Sequence, residues 1–127
     1  MSGGSSYEIF TFGRFEVAPE NEDAFVAAWS EFAAWVSRSS GSRTFRLVRD
    51  IRNAGRFFSF GQWDDAEAIA AWKSSDEFKE GLGRVVRHST EFEPTELVAL
   101  ATATGGTVTA LSPPAELEPI HAPTPSS

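Results

Sequence analysis

A chain of 127 residues with 41% apolar and 13% aromatic residues is long enough for one domain with one modest core, and eleven phenylalanines supply much of that core as rings. Its formal net charge of -7 lacks the basic face that releases counterions from phosphate, so nucleic acid is excluded as an expected partner. There is no cysteine, which removes disulfides, thiolate nucleophiles and Cys-ligated metals together and suits a reducing compartment. The opening MSGGSS lacks the basic and apolar regions of a signal peptide, and no apolar run approaches the length of a membrane span. The expectation is a soluble, cytoplasmic protein with no membrane partner.

Residues 8–17 (EIFTFGRFEV) read as a strand, with Ile9, Thr11, Gly13, Phe15 and Val17 on one face and Phe10, Phe12 and Arg14 on the other. Both faces are largely apolar, which points to a central strand or one covered on both sides. Pro19 ends it. Glu16, Glu20, Glu22 and Asp23 cluster around the following turn, where a solvated acidic helix start accounts for them. From residue 21 to about 38, Phe25, Ala28, Trp29, Phe32, Trp35 and Val36 recur at three- and four-residue steps, the pattern of an amphipathic helix. SSGS at residues 39–42 is its exit, with Gly41 able to take a positive φ.

Residues 44–52 (TFRLVRDIR) and 56–63 (RFFSFGQW) flank Asn53-Ala54-Gly55 and read as an antiparallel hairpin. Asp64 or Asp65 can cap a second helix over about 66–74, followed by a further helical segment over 77–87 that Gly81 and Gly83 weaken, leaving room for a bend. Residues 95–103 (TELVALATA) read as the last strand. The order β, α, β, β, α, β matches the split βαβ or ferredoxin-like arrangement: a four-stranded antiparallel α+β sheet with helices on one face. The other face, carrying Phe10 and Phe12, then needs cover, and a second subunit is the simplest one.

Residues 1–6 read as a flexible N-terminus, 7–103 as the domain, and 104–127 as a Pro- and Ser-rich flexible tail holding five of the seven prolines. Within the tail, TVTAL at 107–111 is β-prone enough to add to a sheet edge. His121, also in the tail, is read as irrelevant to any site.

Trp63 closes the hairpin's second strand and Trp72 sits toward the end of the next helix, so both indoles can enter the space between sheet and helix. Trp63, Trp72, Phe58, Phe60 and Phe78 are the candidate walls of a pocket there, with Asn53, Gln62, Arg84, Arg87 and His88 as candidate polar contacts. Each has a structural alternative: Trp72 as core packing at helical spacing, Trp63 as an anchor for the turn, Arg84 and Arg87 as cations at a helix end. His88 is the only histidine in the folded body and its ordinary pKa suits a general base. Two distant histidines provide no metal ligand set, and Gly81-Leu82-Gly83 follows no strand, so no phosphate loop is expected.

Over about residues 7–100 the chain resembles the antibiotic biosynthesis monooxygenase domain family of the dimeric α+β barrel superfamily. The resemblance rests on the first strand with its proline turn, the helix FVAAWSEF, the segment FRLVRD, the long segment RFFSFGQWDDAEAIAAWKSSDEFKE and the closing ELVAL. It implies a ferredoxin-like protomer that dimerises through its sheet, with an apolar pocket in each protomer. It also implies oxygenation of planar aromatic metabolites (polyketide, anthrone or quinol-like) with O2 as co-substrate and no cofactor. Polyketide cyclisation and non-redox ligand binding remain open on the same scaffold. The haem-degrading branch of the family places a histidine ten residues after the tryptophan that Trp72 resembles; here that position is Leu82, and the first strand has no asparagine. Leucine does not ligate iron, so haem degradation is disfavoured. In this reading Trp72, Trp63, Phe58, Phe60, Phe78 and Asn53 bind the substrate, while His88 or Arg84 handles charge.

Overall fold

The structure, a computed structural model, describes residues 7–117. The N-terminal residues 1–6 and the end of the tail with His121 lie outside the described residues. Four strands, β1 (Ile9–Glu16), β2 (Ser42–Arg49), β3 (Arg56–Trp63) and β4 (Glu91–Val98), form one sheet in the order β2-β3-β1-β4, and all three of its pairings are antiparallel. Helices α1 (Glu22–Val36), α2 (Ala66–Lys73) and α3 (Asp76–Val86) cover one face. This is the expected α+β, ferredoxin-like protomer, with β1 and β3 central.

Each helix forms for a local reason. A turn of 3-10 helix at Pro19–Asn21, with proline at its first turn, leads into α1. Along α1, Phe25, Trp29, Phe32 and Val36 fall on one stripe, and Phe25, fully buried, lies against Phe15 and Phe57 at ring-centroid distances of 5.0 and 5.1 Å. Burying one such ring contributes about 1.5–3 kcal/mol. Asp65 caps α2 by accepting from the Ala68 N–H at 2.8 Å, and Ser75 caps α3 by accepting from the Phe78 N–H at 3.1 Å. The α3 segment runs unbroken through Gly81, which is buried and where an added Cβ would meet Phe32 at 2.6 Å; this glycine lets α1 and α3 approach.

Two expectations are corrected. The last strand of the sheet is β4, beginning at Glu91 rather than Thr95, with Pro94 inside it opposite Gly13. Proline is tolerated because β4 is an edge strand, where one side of the backbone needs no partner. The remainder of the expected strand belongs to a separate hairpin, β5 (Ala101–Thr104) with β6 (Thr107–Ala110), turning on Gly105 and Gly106, both at positive φ. TVTAL thus does contribute a strand, but it pairs with β5 and not with the edge of the four-stranded sheet. No helix among the described residues is long and apolar enough to cross a membrane.

The face of the sheet away from the helices has two parts. Phe10, Phe12, Phe58 and Phe60 make an apolar area, with Phe12 stacked on Phe58 at 5.8 Å. At the other end Arg14 binds Glu16, Glu91 and Glu93, and Arg56 donates to Glu16 at 2.8 Å.

The Arg56 guanidinium, and after it Arg14, holds the Glu16 carboxyl below its ordinary range, and the Arg52 N–H followed by the Asn53 side chain does the same for Asp50. A carboxyl whose pKa is lower folded than unfolded stabilises the fold above its unfolded pKa, and that stability is lost as pH falls through the folded value. The melting temperature is therefore expected to drop as pH is lowered below about 4, and Glu16→Gln should flatten that acid limb. A scan of melting temperature against pH for both proteins checks this. A second expectation concerns packing: the Phe45 ring lies over Gly61, where a Cβ would come within 2.1 Å of it. Gly61→Ala should cost about 1–3 kcal/mol in urea unfolding through overpacking.

Candidate functional site

The two central strands carry the same short pattern, Thr11-Phe12-Gly13 in β1 and Ser59-Phe60-Gly61 in β3. Antiparallel pairing sets Thr11 opposite Gly61, Phe12 opposite Phe60 and Gly13 opposite Ser59. Because side chains alternate along a strand, both phenylalanines leave on the open face and the small residues all fall on the helix face. Large residues flank them there, Ile9 with Trp63 at one end and Phe15 with Phe57 at the other. The core divides accordingly into two clusters, one around Ile9, Val36, Trp63, Ile69 and Trp72, the other around Phe15, Val17, Phe25, Phe57 and Val85. Phe32 packs against both.

Between the clusters, over the floor of small residues, lies a cavity of about 260 Å³. Its roof and walls come from Trp29 and Phe32 of α1, Trp72 and Lys73 of α2, Phe78, Leu82 and Val85 of α3, and Phe92 and Pro94 of β4. Trp72 is the hub of the ring contacts. Its centroid lies 4.8 Å from Trp63 at 33°, 4.6 Å from Phe78 edge to face, and 5.8 Å from Phe32.

The polar groups are few and specific. Trp29 Nε1 donates to Ser59 Oγ at 2.9 Å, and Trp63 Nε1 donates to Thr11 Oγ1 at 3.1 Å. Trp72 is 9% exposed, and its Nε1 is buried with no hydrogen-bond partner, the one such side-chain atom among the described residues. The single ionisable residue lining the cavity is Lys73, whose Nζ pairs with Glu96. No histidine or carboxylate lines it.

Of the residues expected at the site, Trp72 and Phe78 line the cavity and Trp63 packs behind Trp72. Phe58 and Phe60 do not: the pleat that turns Ser59 and Trp63 toward the helices turns Phe58, Phe60 and Gln62 to the open face. Asn53 sits exposed in the β2–β3 turn, its Nδ2 donating to Asp50 at 3.1 Å. Arg87 and His88 follow the last turn of α3 outside the cavity, with the His88 N–H donating to Val85 O at 3.2 Å. Arg84 lines a different depression of about 300 Å³ on the outer side of α1 and α3, where Phe32 and Trp35 are rimmed by Glu31, Glu77 and Glu80. Trp29, Ser59, Thr11 and Phe92 were not singled out as site residues. The doubled hydroxyl-Phe-Gly pattern is the signal that marks two of them.

Comparison with known proteins agrees with this architecture. The family pattern described as antibiotic biosynthesis monooxygenase matches residues 9–84, more than half of the chain. The chain belongs to that family. No curated protein matches it. Among solved structures, it is similar to a Bacteroides thetaiotaomicron protein of unknown function called a possible oxidoreductase, with TM-score 0.67 and 17% identity over 75% of this chain and 100% of that one. It is also similar to SnoaB of Streptomyces nogalater, a cofactor-independent oxygenase, with TM-score 0.64 and 19% identity over 79% of this chain and 98% of that one. A conserved Methanosarcina mazei protein gives TM-score 0.65 at 16% identity over 74% of this chain and 92% of that one. At these identities the likeness is one of fold.

Trp72 is the residue on which the cavity's shape rests. Trp72→Ala is expected to cost about 3–5 kcal/mol by loss of burial and creation of a void. Trp72→Phe keeps a ring and removes the unpartnered donor, so its cost should stay below about 2 kcal/mol. Urea unfolding of the two variants measures the difference.

Proposed function

We propose that the protein is a homodimeric monooxygenase that works without a cofactor, using O2 to oxidise a planar aromatic metabolite of the polyketide, anthrone or quinol kind. The observation that carries this reading is the cavity: ring-walled, floored by small residues, and supplied with hydroxyl groups, its one ionisable lining residue, Lys73, being paired with Glu96. An apolar site with a few placed polar groups is what a flat ring system requires. The fold shared with SnoaB, itself a cofactor-independent oxygenase, supports the same reaction class.

In such chemistry the substrate supplies the electrons. For an anthrone, the ring CH2 becomes a carbonyl: one atom of O2 enters as the new oxygen, and the other leaves as water with the two hydrogens. The protein binds the ring, excludes bulk water and stabilises negative charge as it gathers on the ligand oxygen. Trp72 and Phe78 hold the faces and edge of the ring system, with Trp63 backing Trp72. His88 and Arg84, candidates for handling charge, do not line the cavity, so this reading gives them no contact with the ring system. Leu82 does line it, and an alkyl side chain there argues against haem degradation.

The dimer is part of the proposal. Phe10, Phe12, Phe58 and Phe60, with Val48 and Leu97 at 39% and 45% exposure, leave an apolar sheet face that a second copy would cover. Light scattering at micromolar concentration should give twice the chain mass, and Phe12→Asp with Phe60→Asp should give a monomer; a monomeric wild-type protein would defeat this part.

Oxygen-electrode measurements test the reaction. Purified protein should consume O2 with an anthrone or hydroquinone substrate, and Trp72→Ala should lower the rate at least about tenfold through lost positioning. No uptake with any such substrate would remove the oxygenase reading, and turnover that persists without O2 would replace it with cyclisation.

A further inference from the structure

A hydroxyl has one proton to give and two lone pairs. Ser59 Oγ and Thr11 Oγ1 each receive an indole N–H, from Trp29 and Trp63, and among the described residues neither hydroxyl donates a hydrogen bond. Their protons are therefore uncommitted, while one lone pair of each is engaged. Trp72 Nε1 is a donor only, and it is buried without an acceptor. Lys73 also only donates. Nothing among the side chains lining the cavity is a free carboxylate, imidazole or amide oxygen.

We propose that Ser59 and Thr11 determine which ligands the cavity accepts, by donating from their hydroxyls to the carbonyl or enolate oxygens of a bound planar ring system. Trp29 and Trp63 are positioning residues: each indole occupies a lone pair and so fixes the rotor of the hydroxyl it meets. The two hydroxyls stand on diagonal cross-strand positions of the same face, about 7–8 Å apart at the backbone. That spacing suits acceptor oxygens on one ring system. This inference rests on the cavity being the ligand site, and it adds the selection rule: aromatic ketones and quinones over hydrocarbons of the same shape.

The test uses two probes that share a ring frame, para-naphthoquinone with two acceptor oxygens and naphthalene with none. Equilibrium dialysis of the full-length protein gives the affinity for each, with wild type, Ser59→Ala, Thr11→Val and Trp29→Phe compared. Ser59→Ala and Thr11→Val, the latter preserving side-chain shape, are each expected to weaken quinone binding about three- to tenfold and to leave naphthalene within about twofold. Trp29→Phe should lower the quinone-to-naphthalene ratio while leaving naphthalene unchanged, a split that a purely structural role would not produce. If the variants weaken both probes equally, or neither, the donor assignment is overturned while the cavity reading stands. If wild-type protein binds neither probe, both fall.

Discussion

Four small residues on the helix face of the sheet, Thr11, Gly13, Ser59 and Gly61, set the conditions for the rest of this molecule. A sheet face normally buries side chains of similar height against the helices above it, and interiors pack with few voids larger than a water molecule. Here the two central strands lose that height at the same level, because antiparallel pairing sets the hydroxyl residue of one opposite the glycine of the other. Helices α1 and α3 are held up at either end by Phe15 with Phe57 and by Ile9 with Trp63, and they span the gap between. The cavity is the unfilled part of that gap.

The gap decides what the aromatic residues do. Phe45 folds over Gly61 and meets Trp63 edge to face at 5.5 Å, so one side of the depression is filled by a ring. Trp29, Trp63 and Trp72 approach from above and from the end, and two of them find hydroxyl acceptors on the floor. The third does not. A buried donor with no acceptor costs about 1–3 kcal/mol, and Trp72 bears that cost.

Much of this was legible from residue order. Helical spacing in FVAAWSEFAAWV identified the stripe that α1 buries, and the turn Asn53-Ala54-Gly55 between two strand-like runs identified the hairpin. The convergence of Trp63 and Trp72 followed from a strand end running straight into a capped helix. The misplacements have physical causes. Phe58 and Phe60 were grouped with Trp63 by aromatic character, whereas an alternating strand puts even- and odd-numbered residues on opposite faces. Pro94 sits inside β4 since an edge strand has spare backbone positions, a fact about sheet order that local sequence does not carry. Ser59 and Thr11 were missed because their partners lie 30 and 52 residues away, and such pairings exist only once the register is set.

The central claim is that a planar ligand enters between the sheet and the helices, against Trp72. The chain's four tryptophans report on it directly, because Trp29 and Trp72 line the cavity and Trp63 packs against Trp72 and Thr11, while Trp35 lines the outer depression. The decisive measurement is a titration of the indole N–H resonances of the isotopically labelled protein with para-naphthoquinone. The account predicts saturable shifts at Trp72, Trp29 and Trp63 with Trp35 unmoved; shifts confined to Trp35, or none at all at saturating ligand, would contradict it.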